Sequence, residues 1–64
     1  MTKKMAFEDG RAQAITYREF NDPITLPDDA RVHAAWVKGF MMYGGSYIDL
    51  GKAYHAWIAA KEPK

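Results

Sequence analysis

The chain contains no cysteine, so neither a disulfide nor a cysteine-type zinc site can hold it together. Histidine is scarce as well: His33 and His55 stand far apart and make a poor metal site. An excess of charge is also lacking, because nine Lys/Arg against eight Asp/Glu leave only +1. That falls short of the basic surplus of a protein that binds nucleic acid mainly through phosphates. It is equally far from an acidic nucleic-acid mimic. No run approaches the roughly 18 apolar residues of a membrane span. Behind Lys3 and Lys4 there is no apolar stretch of the kind a secretory signal needs. Together with the missing cysteines, this makes the expected location cytoplasmic. Repeats and low-complexity segments are absent too.

What is present is a short chain rich in large rings: two Trp, four Tyr and three Phe in 64 residues. A domain of this size buries only about 60% of the surface its unfolded chain exposes, so its core is marginal. Small scaffolds compensate with disulfides, a metal or a partner chain. Cysteine is absent for the first and histidine scarce for the second, so self-association or a larger partner is the expected support. A deep-pocketed, multi-step enzyme is not expected at this length.

Breakers divide the sequence into three segments and predict an all-α, three-helix domain with helices over about 3–19, 27–43 and 47–61. The third is the clearest. Ser46 can cap it with Asp49 three residues on, after Gly44-Gly45 has ended what precedes. Tyr47, Leu50, Tyr54, Trp57 and Ile58 then form one helical stripe, fading at Glu62-Pro63. Gly51 lies beside that stripe, where close approach of another helix would compensate its cost of roughly 1 kcal/mol. The second segment opens on Thr25-Leu26-Pro27-Asp28-Asp29, a cap, an early proline and two acids. Tyr43, Trp36, Phe40, Val37 and Met41 span about 160° of a helical wheel, with Met42 well outside that arc, more than so small a core is expected to absorb. The first segment reads as a helix with Ala6, Gly10, Ala14 and Tyr17 on one strip. A β-hairpin turning at Asp9-Gly10 is the alternative, although it would set Lys4 opposite Ile15. Asn21-Asp22-Pro23 ends it either way.

No catalytic signature emerges, and the chain is expected not to be an enzyme. Ser46, the only serine, is better explained as a cap. His33 and His55 read as surface or boundary histidines, and Asp28-Asp29 as compensation of a helix dipole. Gly44-Gly45-Ser46 lacks the lysine and spacing of a P-loop. The feature that stands out is the aromatic and methionine face of the second helix. The candidate partner-binding residues are Trp36, Phe40, Met41, Met42 and Tyr43, with Lys38 and Arg31 as basic neighbours. Core packing competes for the same face, and claims Trp36, Phe40, Leu50 and Trp57 first.

Ala6-Phe7-Glu8-Asp9-Gly10, the break at Asn21-Asp22-Pro23-Ile24, and Ala35-Trp36-Val37-Lys38-Gly39-Phe40 together resemble the ribosome modulation factor/CrpP family of small proteins. The similarity covers about residues 6–43. This chain differs in having Asp22 between Asn21 and Pro23, Ile24 in place of a tyrosine, and near-neutral charge. The resemblance implies a helical fold and a cytoplasmic protein acting on a large partner, which in the type member is the ribosome. By the same match Trp36, Gly39 and Phe40 are packing residues. The expected function is a small non-enzymatic regulator that binds a large protein or ribonucleoprotein. The alternative is a phage- or plasmid-encoded inhibitor of one host protein. No cofactor, metal, small-molecule substrate or membrane is expected, RNA contact is left open, and a homodimer is compatible with either reading.

Overall fold

The computed structural model describes residues 1–61, and within them every regular element is helical. Helix α1 spans Lys3–Phe20, α2 His33–Met42 and α3 Tyr47–Lys61, and a single 3-10 turn over Ala30–Val32 leads into α2. The first segment is therefore a helix and not a hairpin. The expected fade of the third helix at Glu62-Pro63 lies outside the described residues. No described helix is long and apolar enough to cross a membrane.

Local chemistry sets most helix ends. Thr2 caps α1 by accepting the Met5 N–H at 3.1 Å. Asn21 stops it in the left-handed region (φ 56°) and donates its N–H to the Tyr17 carbonyl at 2.9 Å. Gly44 (φ 100°) and Gly45 close α2 as a Schellman turn, with the Gly45 N–H on the Phe40 carbonyl at 2.9 Å. Ser46 caps α3 as the sequence indicates: its Oγ accepts the Asp49 N–H at 3.1 Å and donates to the Asp49 carboxylate at 2.8 Å.

The second helix starts later than the 27–43 expected. Thr25 to Asp29 stays out of the helix because tertiary contacts claim it. Gln13 clasps Thr25 from α1, its Nε2 donating to the Thr25 carbonyl (2.8 Å) and its Oε1 accepting the Thr25 N–H (2.7 Å). Leu26 is buried in the core, and His33 Nε2 meets the Pro27 carbonyl at 2.6 Å. Asp29, rather than Thr25, is the cap, accepting the Arg31 N–H at 2.9 Å. His33 is consequently buried, edge-on to the rings of Tyr54 and Trp57. Its expected place at the surface is overturned, since it serves as the tie between this loop and α3.

The core is the crossing of α1 and α2. Ala6, Gly10 and Ala14 face α2, which answers with Trp36, Gly39 and Phe40. At the centre the two backbones meet. A side chain begun at Gly10 would strike the Trp36 carbonyl, and one begun at Gly39 would strike the Phe7 carbonyl. Trp36 and Phe40 stack at 5.0 Å and are wholly buried. The Trp36 indole N–H donates to Asp9 Oδ2 at 2.9 Å, and the same oxygen accepts from Gln13 at 2.9 Å. Asp9 thus satisfies a buried donor and steadies the loop clasp at once.

Helix α3 leans on this unit through Leu50, Ala53, Tyr54 and Trp57. Near its start Tyr17 donates its hydroxyl to Asp49 Oδ1 at 3.0 Å. That bond, and then the nearby negative charge, hold the Tyr17 hydroxyl above its ordinary phenolic pKa. Because the folded value is raised, this stabilisation is complete below about pH 10 and is lost as pH climbs through the folded value. Tyr17→Phe is accordingly expected to flatten the alkaline decline in stability, as read by urea unfolding between about pH 8 and 11. An unchanged slope would remove Tyr17 from the α1–α3 link. Gly51 departs from expectation: among the described residues no other element has an atom within 4 Å of where its side chain would begin.

Candidate functional site

The fold redistributes the residues expected to bind a partner. Trp36 and Phe40 are fully buried and Met41 packs half-buried against the core, so these three support the surface rather than form it. The apolar arc of α2 is wide because α1 packs along it, while its first residue, His33, meets the rings of Tyr54 and Trp57 on α3. Arg31 is taken up by Asp29, which accepts its Nε at 3.0 and 3.2 Å and its Nη2 at 3.0 Å. The side-chain bonds from Arg31, followed by its backbone N–H, hold the Asp29 carboxyl below its ordinary range. The pair is an exposed one, with the Arg31 side chain 89% accessible, so Asp29 competes with a partner for this guanidinium. Lys38, Met42 and Tyr43 are exposed, with Lys38 and Met42 one turn apart on the same side of α2.

Helix α1 completes the site with residues the sequence reading passed over. Phe7 meets Tyr43 edge-on, with ring centroids 6.4 Å apart. Arg11 sets its guanidinium 4.8 Å above the same ring. The Arg18 guanidinium lies against Gly44, 2.6 Å from where a side chain would begin. Lys4, Arg11 and Arg18 recur at seven-residue intervals, two helical turns each, and that spacing was the available signal for a basic strip. Tyr43 therefore lies between an aromatic neighbour and a cation, beside the α2–α3 turn.

The cations of this edge stand outside the ion pairs of the fold. Among the described residues, ion pairs join Arg31 to Asp29 (3.0 Å) and Lys61 to Asp28 (3.6 Å), and none involves Arg11, Arg18 or Lys38. Arg11, Arg18 and Lys38 are exposed, as are Glu8 and Glu19 on α1, while Asp9, Asp29 and Asp49 are hydrogen-bonded within the fold.

Elsewhere, two shallow clefts of about 180 and 160 Å³ flank Ile24 and Ala53 between the loop and α3. Their walls are mainly apolar, and Tyr17 and Asp49 in the larger one already bond each other. Among the described residues, no three side chains of the metal-binding types gather in one place. No protein-family model matches the chain, and neither a curated protein nor a solved structure gives a significant match.

Proposed function

We propose that this chain is a small non-enzymatic regulator that docks on a large ribonucleoprotein through the edge formed by Arg11, Arg18, Lys38, Met42 and Tyr43. The observation that carries the reading is the Arg11 guanidinium 4.8 Å above Tyr43, with no ion pair to Arg11 or Arg18 among the described residues. Exposed aromatic faces stack on unpaired bases, and arginines both stack and contact phosphates. A fully self-neutralised surface would have given no such preference. The resemblance of residues 6–43 to the ribosome modulation factor/CrpP family makes the ribosome the first partner to test.

The edge offers about three cations, so a slope near −2 in log affinity against log salt is expected, at about −0.7 per phosphate contact on single strands. Co-sedimentation with ribosomes should then weaken about 16-fold between 50 and 200 mM salt. The double variant Arg11→Glu/Arg18→Glu should weaken it at least about tenfold and flatten the slope, while Arg31→Gln should not. No ribosome association even at low salt would overturn the ribosomal version. Recovery from a lysate of one stoichiometric protein and no RNA would instead establish an inhibitor of a single host protein.

A further inference from the structure

We infer that α3 is a lid, opening as a unit on the Gly44-Gly45 turn while the α1–α2 crossing stays folded. The closest contacts of the interior leave α3 out. The backbone approaches at Gly10 and Gly39, the Trp36–Phe40 stack and the Trp36 bond to Asp9 all lie within α1 and α2. The Gln13 clasp on Thr25 holds the intervening loop to α1. None of these requires α3 to be in place. Helix α3 itself buries only Leu50 and Ala53 among its 15 residues. It lacks the continuous close approach that α1 and α2 make to each other.

The seam beneath α3 is loosely made. Among the described residues two polar contacts cross it: the Tyr17–Asp49 bond at 3.0 Å and the Lys61–Asp28 ion pair at 3.6 Å. Both side chains of that ion pair are exposed, so it holds little. Clefts of about 180 and 160 Å³, both bordered by Ile24 and Ala53, interrupt the packing. Trp57 lines the smaller one, and its Nε1 is shut off from solvent with no hydrogen-bond partner among the described residues. A buried donor left unpaired penalises the closed form, and opening lets water satisfy it. The turn suits a hinge: Gly44 sits at φ 100°, and α3 carries its own Ser46–Asp49 cap along. Off the core, a helix of 15 residues with a glycine inside is marginal in water and frays. Opening bares Leu26 and His33, buried residues that face Ala53, Tyr54 and Trp57 across the seam.

Native-state hydrogen exchange of the full chain tests this. Amides of α3, corrected for intrinsic rates, should be at least about tenfold less protected than those of Ala14 and Phe40 at the crossing. Their urea dependence should be shared along α3, the mark of a unit that opens together. The two indoles give a second reading. The Trp57 N–H should exchange with α3, and the Trp36 N–H, bonded to Asp9, only with the crossing. Thr2→Ala then separates a lid from a loose but cooperative fold. Losing this cap weakens α1 equally whether α3 is open or closed. Protection at the crossing should therefore fall about fivefold while that of α3 stays unchanged. Equal protection of α3 and the crossing, within about twofold, would overturn the inference. So would a Thr2→Ala variant in which both fall together.

Discussion

Gly39→Ala is expected to remove a third or more of the folding free energy, although it adds only one methyl group. That methyl would overlap the Phe7 carbonyl oxygen and lie 3.2 Å from the Arg11 nitrogen. Both are backbone atoms within α1, so no rotamer change can clear them. The helices must separate, and separation loosens the packing around Trp36 and Phe40. Overpacking a well-filled site typically costs 1–3 kcal/mol, and rigid backbone on the far side argues for about 3 or more. A chain of this length has about 3–10 kcal/mol in total. A thermal midpoint lower by about 12–24 °C is the corresponding readout. Gly10→Ala should behave alike, because its methyl would meet the Trp36 carbonyl. The two should not add, since the helices need to part only once. Gly51→Ala provides the contrast: in dilute, monomeric solution it should gain up to about 1 kcal/mol. Gly39→Ala within about 0.5 kcal/mol of the parent would show that α1 and α2 do not touch through their backbones.

Trp36→Ala is expected to cost about 3–5 kcal/mol, the range for removing a large buried ring. Two separable losses make up that figure. One is the cavity beside Phe40, on which Trp36 stacks at 5.0 Å. The other is the indole N–H donated to Asp9 at 2.9 Å, a bond to a carboxylate and therefore worth about 1.5–3 kcal/mol. Trp36→Phe retains most of the ring and isolates the second loss. In that background Asp9→Ala should cost less than it does in the parent, because the bond is already gone. The difference is the coupling energy, read by urea unfolding followed through far-UV circular dichroism. Coupling near zero would reduce Asp9 to a surface carboxylate whose main contact is Gln13.

Helix boundaries set by neighbouring residues were legible in the sequence. Ser46 with Asp49 started a helix and Asn21 ended one, and each does so through a hydrogen bond within its own few residues. The strip Ala6, Gly10, Ala14 likewise faces the core as its spacing indicates. The start of α2 was misplaced because Pro27-Asp28-Asp29 has sound helix-start chemistry of its own. Gln13 and His33 outbid it from outside the segment, by bonding the backbone of Thr25 and Pro27. The binding surface was only half legible for a related reason. Met42, Tyr43 and Lys38 could be placed on one helix, whereas Arg11 above Tyr43 needs the α1–α2 crossing to exist.

The sequence by itself determined that this is a small helical chain without disulfides, broken at Asn21-Asp22-Pro23 and at Gly44-Gly45, because those properties depend on composition and on residues a turn or two apart. Only the tertiary structure decided what its glycines do. Gly10 and Gly39 let two backbones touch, while among the described residues no other element comes within 4 Å of where a Gly51 side chain would begin. A glycine looks the same in any sequence, and its meaning depends on which element comes within reach of its missing side chain.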